Sequence, residues 1–222
     1  MKKAIVIGST GLVGSELVRQ LLQHTDYSEV ISLVRRKSGV VHPKLSEFVV
    51  DFEKPDMWKN RVKGDVLFSA MGTTIKTAKT KDNQYKVDYT YQLETAKTAS
   101  ENGVPVYVLI SSVGANSNSL NFYTNMKGKL EESVRNLPFK TIQILQPGQL
   151  DGNRNENRLA EKTALKVMHA LNKLGILKKF KPISGQEVAE AMIIVANKPT
   201  SEVYILNELF NLTGKKSSSN SL

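Results

Sequence analysis

The sequence contains no cysteine. That absence removes disulfides, zinc–thiolate sites, iron–sulfur clusters and a thiol nucleophile from consideration. Histidine is nearly as scarce. The three present, His24, His42 and His169, are scattered and do not resemble a ligand cluster. No run approaches the ~20 apolar residues of a membrane span. The stretch Met1-Lys2-Lys3-Ala4-Ile5-Val6-Ile7 starts as a signal peptide does. Glycine and polar residues interrupt it at Gly8, too soon for an apolar leader. A cytoplasmic protein with no membrane contact is therefore expected. Acidic residues are also in deficit, 21 against 31 basic, for a net charge of +10. An anionic partner is expected from this, and a phosphate-bearing cofactor or an anionic small-molecule substrate would satisfy it. No helix-turn-helix, zinc finger or aromatic–basic nucleic-acid signature accompanies the charge, so a nucleic-acid partner is not expected. Monomer and homodimer both stay open.

What is present is an alternation of short apolar, β-branched runs with longer stretches at helical spacing. Strands are expected at 4–8, 29–36, 46–53, 65–72, 106–112 and 140–146. Helices are expected over 12–22, 84–102 and 123–136, with a polar, basic loop up to Lys81. Trp58 and Met57 read as packing residues between the third and fourth strands. This rhythm argues an α/β fold with a parallel sheet and right-handed crossovers. After Gly148 the rhythm changes. Segment 151–181 is polar and basic, yet keeps one helical apolar stripe. A further helix (186–196) and a last short strand (203–207) follow. The expected organisation is a dinucleotide-binding domain over 1–150 and a small, mostly helical lobe with closing elements over 151–214. A serine-rich, disordered tail is expected over 215–222.

The first strand runs directly into Gly8-Ser9-Thr10-Gly11-Leu12-Val13-Gly14. In such a strand–turn–helix Gly8 permits the tight turn, and Gly11 lets backbone approach a pyrophosphate. Gly14 lets the helix pack closely on the strand, and the helix N-terminus aims free N–H groups at the phosphates. A bound dinucleotide is the expectation. NAD sites commonly carry an acid about 20 residues further on, to accept from the ribose hydroxyls. Here that region is Leu33-Val34-Arg35-Arg36-Lys37. With no carboxylate and two guanidiniums suited to a 2′-phosphate, NADP is expected over NAD.

Tyr123-Thr124-Asn125-Met126-Lys127 places a tyrosine and a lysine on one helix face. A free phenol has a pKa of about 10, and a fixed ammonium nearby lowers it toward general acid/base work. The pair follows a strand ending in Ser111-Ser112. Taken with Ile7–Gly14, Ala70-Met71-Gly72-Thr73-Thr74, Val87-Asp88, Ile110–Ala115, Asn121–Lys129 and Pro147-Gly148, the chain resembles the short-chain dehydrogenase/reductase superfamily. Its nearer resemblance is to the atypical NAD(P)H-binding members around the Tat-interacting protein and their epimerase-like bacterial relatives. The resemblance spans the chain to about Gly214.

That resemblance implies a Rossmann-type doubly wound parallel sheet. It implies that Ser112 (or Ser111) hydrogen-bonds the reacting oxygen, that Tyr123 transfers the proton, and that Lys127 orients the nicotinamide ribose. Cofactor contacts are implied at Gly8, Thr10, Gly11, Leu12, Val13, Gly14, Arg35, Arg36, Asp51, Phe52, Ala70, Met71, Gly72, Lys127, Pro147 and Gly148. Two departures stand out. Asp88 replaces the asparagine of a proton relay found in many extended members, and Gln146 replaces the arginine that commonly precedes Pro-Gly. The expected function is an NADP-dependent oxidoreductase acting on a small carbonyl or alcohol. The alternatives are a non-catalytic NADPH-binding sensor and a sugar-nucleotide epimerase or dehydratase.

Overall fold

The computed structural model describes residues 1–151 and 182–214. The basic amphipathic segment expected over 151–181 and the tail expected over 215–222 lie outside the described residues, apart from Asp151 itself.

Strand β1 (Lys2–Ile7) is followed by helix α1 (Leu12–Gln23), β2 (Tyr27–Val34) and β3 (Leu45–Val49). Then come β4 (Val66–Ser69), the short helices α2 (Ile75–Ala78) and α3 (Lys81–Tyr85), and α4 (Tyr91–Glu101). Strand β5 (Val106–Ile110), helix α5 (Phe122–Arg135) and β6 (Thr141–Gln146) complete the regular alternation. Two-residue strands β7 (Leu150–Asp151) and β8 (Ile183–Ser184) pair with each other. Helix α6 (Gly185–Val195), β9 (Glu202–Ile205) and helix α7 (Asn207–Leu212) follow.

The seven strands of the main sheet lie in the order β3-β2-β1-β4-β5-β6-β9, every neighbouring pair parallel. The expected doubly wound sheet is thus present. Chain order reverses beside β1, and a crevice opens at the carboxyl ends of the strands where it does. The period-2 geometry of a strand decides which apolar residue goes where. Ala4 and Val6 of β1 join α1 and α6 in one core, while Ile5 and Ile7 join Trp58, Ala96, Leu130 and Val134 in the other. Both faces of the sheet are covered, which explains why the strands read as continuous apolar runs.

Three local details differ from the expectation. Strand β3 ends at Val49, and the next residues form a turn in which Trp58 is buried and its indole N–H donates to the Asp51 carbonyl at 2.9 Å. Met57 is not a packing residue: it is 77% exposed, because the one-turn helix that carries it points it outward. The expected basic loop contains α2, capped by the Thr74 hydroxyl, and α3 begins at Lys81 behind a Thr80 cap. Between α3 and α4 lies one wide turn of π geometry, Lys86–Thr90. Such bulges recur at functional sites. This one is stapled to the sheet: the Gln92 amide donates to the Asp88 carbonyl at 2.8 Å, and the Ser69 hydroxyl donates to Gln92 Oε1 at 2.7 Å.

Candidate active site

Two connected hollows run along the carboxyl ends of β1, β4 and β5. The first, of about 440 Å³, is floored by Gly8–Gly11 and walled by Leu33, Val34, Arg35, Phe52 and Tyr91. The second, of about 680 Å³, is bounded by Leu12, Val13, Asp88, Ser111, Tyr123 and Lys127. They share Gly11 and the segment Ala70–Thr74 that follows β4.

The floor of the first hollow is built of backbone. Gly8 has φ +80, the left-handed region that glycine tolerates, and a Cβ there would stand 2.4 Å from the Ala70 carbonyl carbon. A Cβ on Gly14 would stand 2.1 Å from the Gly8 oxygen. The turn closes with Gly11 N–H donating to Gly8 O at 2.9 Å. Helix α1 then starts with no side-chain cap and no acid in its first turn, so its leading N–H groups remain for an anion. The buried Ser9 hydroxyl has no hydrogen-bond partner among the described residues. A Cβ-free turn, an uncapped helix start and an orphaned buried hydroxyl together fit a dinucleotide pyrophosphate. Arg35 lines this hollow, and Arg36 is not among the residues lining it. Arg35 also borders a side hollow of about 330 Å³, together with Asp51, Phe52 and Tyr91.

The second hollow is built of side chains. Asn121 starts α5 by accepting from the Tyr123 and Thr124 N–H groups at 2.9 and 3.2 Å. That cap sets Tyr123 in the first turn, 38% exposed at the mouth. One turn on, Lys127 is 3% exposed, and its Nζ donates to the Ile110 carbonyl at 3.0 Å. Burial pushes the Lys127 ammonium below its ordinary value, and the Asp88 and Glu131 carboxylates work in the opposite direction. Asp88, 1% exposed in the π turn, accepts the Thr73 N–H at 2.7 Å on Oδ1. It thereby ties α4 to the segment after β4.

Glu131 was not anticipated, although it continues the Tyr123–Lys127 stripe by one more helical turn. It is 5% exposed. Its Oε1 accepts the Ser111 hydroxyl at 2.5 Å. The Gln146 amide donates to Oε1 at 2.8 Å and to Oε2 at 3.1 Å, and the Arg135 guanidinium reaches Oε2 at 3.4 Å. Serine, amide and guanidinium all donate here, so Glu131 acts only as an acceptor. Gln146 therefore has a defined partner in this chain.

Of the other expected residues, Thr10, Ala70, Met71 and Gly72 line the hollows. Of the two serines, Ser111 lines the second hollow and Ser112 is not among its lining residues. The Ser112 hydroxyl makes a contact of 3.4 Å with the Val113 carbonyl. Pro147 and Gly148 do not line it either. The Pro147 carbonyl accepts the Val113 N–H at 3.0 Å, and a Cβ on Gly148 would meet the Leu206 side chain at 2.9 Å. Gln149 and Leu150 face the hollow in their place.

Residues 8–199 match a family model described as NAD(P)H-binding. The protein named FMP52-1, mitochondrial, of Scheffersomyces stipitis is 32% identical over 96% of this chain and 99% of its own length. The FMP52 protein of Debaryomyces hansenii is 33% identical over 90% of this chain and 89% of its own. Among solved structures, the Thermus thermophilus UDP-glucose 4-epimerase complex with NAD superposes with a TM-score of 0.69 at 16% identity. It covers 96% of this chain and 82% of that one. The Bordetella bronchiseptica enzyme WbmH in complex with NAD+ gives 0.69 at 13% identity, over 92% and 75%. These two establish a shared fold. The relatives also correct the expected cytoplasmic location, because they are named as mitochondrial proteins. An apolar leader marks secretion, whereas mitochondrial targeting segments are amphipathic and basic.

Proposed function

The chain belongs to the NAD(P)H-binding family, and from that premise we propose that it is an NADP-dependent oxidoreductase of the short-chain dehydrogenase/reductase type acting on a small carbonyl or alcohol. The observation that carries this reading is the meeting of Tyr123, Lys127 and the start of α1 around one hollow that opens directly onto the glycine turn. Arg35 and the glycine turn would hold the adenosine and pyrophosphate of a dinucleotide, and Tyr123 and Lys127 would border its nicotinamide. The cofactor supplies the hydride chemistry.

The chain's own residues divide the remaining work. Lys127 holds the ribose hydroxyls and, as a cation, favours the ionised form of the Tyr123 phenol. Tyr123 stands at the mouth and exchanges the proton with the substrate oxygen. Ser111 or Ser112 hydrogen-bonds that oxygen: Ser111 lines the hollow with its proton given to Glu131, and Ser112 follows it outside the lining residues. Arg35 reads the 2′-phosphate, and with no acid at the end of β2 the selection is for NADP.

Titration with NADPH and NADH tests the cofactor half of this reading. NADPH is expected to bind at least about tenfold more tightly, one charge-assisted contact being of that order; equal affinity or a preference for NADH overturns it. A panel of small carbonyls tests the catalytic half: Tyr123→Phe is expected to lower turnover by about 10²-fold or more. Unchanged turnover in that variant would remove the assigned mechanism. A second reading, an NADPH sensor without turnover, is favoured by one feature. Asp88, at the relay position, commits Oδ1 to the Thr73 N–H. It predicts tight NADPH binding with no consumption across the same panel.

A further inference from the structure

Helix α5 meets the strand ends through two successive rungs. Lys127 Nζ donates to the carbonyl of Ile110, the last residue of β5, at 3.0 Å. One helical turn later Glu131 accepts the hydroxyl of the next residue, Ser111, at 2.5 Å. The same carboxylate also takes the amide of Gln146, the last residue of β6, on both of its oxygens. The two strand ends are joined by the Ser111 N–H donating to Leu145 O at 2.8 Å. A single buried carboxylate thus gathers α5, β5 and β6 at the point where each delivers a site residue. Lys127 lies one turn before it, Ser111 is held by it directly, and Gln149 and Leu150, which face the hollow, follow shortly after Gln146.

Resting on the function proposed above, we propose that Glu131 is the positioning residue of the nicotinamide half of the site. By accepting from Ser111 and Gln146 it fixes the ends of β5 and β6 against α5, and so sets where Lys127, Ser111 and the Gln149-Leu150 stretch stand. Its chemistry is suited to this and cannot be copied by an amide of the same shape. A carboxylate offers acceptors on both oxygens, whereas glutamine must place an N–H₂ where one acceptor was, facing the Gln146 N–H₂. Holding the Ser111 proton has a second consequence. Ser111, which lines the hollow, then presents its oxygen as an acceptor while its proton stays with Glu131.

The test compares two ligands that share the adenosine half. NADPH reports on the whole groove, and 2′-phospho-ADP-ribose reports on the half without nicotinamide. Wild-type protein is expected to hold NADPH more tightly than the fragment. In Glu131→Gln the Kd for NADPH is expected to rise about tenfold while the Kd for the fragment stays within about twofold. A merely structural role would weaken both together, and that result, or no change in either, overturns the proposal. If Glu131→Gln does not fold, Ser111→Ala removes one rung while keeping the carboxylate and Gln146. It is expected to show the same split at about threefold, equivalent to one modest hydrogen bond. The double exchange Glu131→Gln with Gln146→Glu restores one carboxylate facing one amide. It is expected to recover NADPH affinity to within about twofold of wild type, and failure to recover counts against the pairing. The underlying reading fails separately and visibly: wild-type protein would then bind NADPH no better than the fragment.

Discussion

The two ends of the groove are made in opposite ways. At the end proposed for adenosine the surface is largely backbone: a turn from Gly8 to Gly11, the start of α1, and one hydroxyl, on Ser9, without a partner among the described residues. All of these come from a single stretch of chain, and their geometry is fixed by what glycine permits. At the end proposed for nicotinamide, buried charges come from separate elements: Asp88 in the π turn and Lys127 on α5 line the hollow, and Glu131 stands behind Ser111, all tied to the ends of β4, β5 and β6. A backbone site of the first kind tolerates side-chain change and fails when a Cβ intrudes. A charge cluster of the second kind fails when one member is removed, because the others are left buried and unbalanced.

The sharpest way to break this contrast is Gly14→Val. Even the first carbon of the new side chain would sit 2.1 Å from the Gly8 oxygen. A loss of more than about 4 kcal/mol of stability, or failure to fold, is expected in a urea titration. A variant that folds normally and binds NADPH would show that the turn is not backbone-limited.

Next in size is Lys127→Met, which removes the ammonium flanked by Asp88 and Glu131 and is expected to cost about 3 kcal/mol. It also carries a pH signature. Burial holds the folded Lys127 below the ordinary 10.5, so between those two values the unfolded chain keeps a proton that the folded chain has lost. Stability therefore rises with pH across that window. The rise should disappear from urea midpoints of Lys127→Met, and Arg35→Ala should retain it, because arginine does not titrate there. If both variants keep the rise, the nicotinamide end is not the titrating one.

Arg35→Ala and Arg36→Ala sharpen the comparison within one end. Only Arg35 lines the adenosine hollow. Its removal is expected to weaken NADPH by about 2 kcal/mol and leave NADH unchanged, while Arg36→Ala shifts NADPH by less than about 0.5 kcal/mol. Equal losses would assign the 2′-phosphate to both. The smallest effect is expected for Ser9→Ala. Its hydroxyl has no partner among the described residues, so stability should stay level while NADPH affinity drops by less than about 1 kcal/mol. A clear loss of stability would mean that the hydroxyl serves the fold rather than a ligand.

The adenosine end was legible in the sequence because its logic is local. Gly8, Gly11 and Gly14 follow an apolar run and open a helical pattern, and Arg35 stands at the close of the second strand. The alternation of elements likewise announced the parallel sheet, since strands covered on both faces must be apolar throughout. At the nicotinamide end only the part lying within one helix could be read, namely Tyr123 and Lys127 at four-residue spacing. Glu131 continues that spacing, but a glutamate on a helix is ordinarily solvated, and nothing local says that Ser111 and Gln146 will surround it. Gln146 reads only as a departure from the usual arginine for the same reason, its partner lying 15 residues away. The π turn that buries Asp88 left no mark in the apolar spacing, and the end of β3 was overrun because Val50 and Phe52 remain apolar after the strand stops.

The sequence by itself determined the fold class, the glycine turn and the presence of a tyrosine–lysine pair, because each depends on residues within a few positions of one another. Tertiary structure alone decided which arginine lines the hollow, which serine proton is already committed, and which carboxylate receives it. Those choices depend on how strand ends and helices converge at the crevice, and convergence of distant segments is set by packing across the whole sheet.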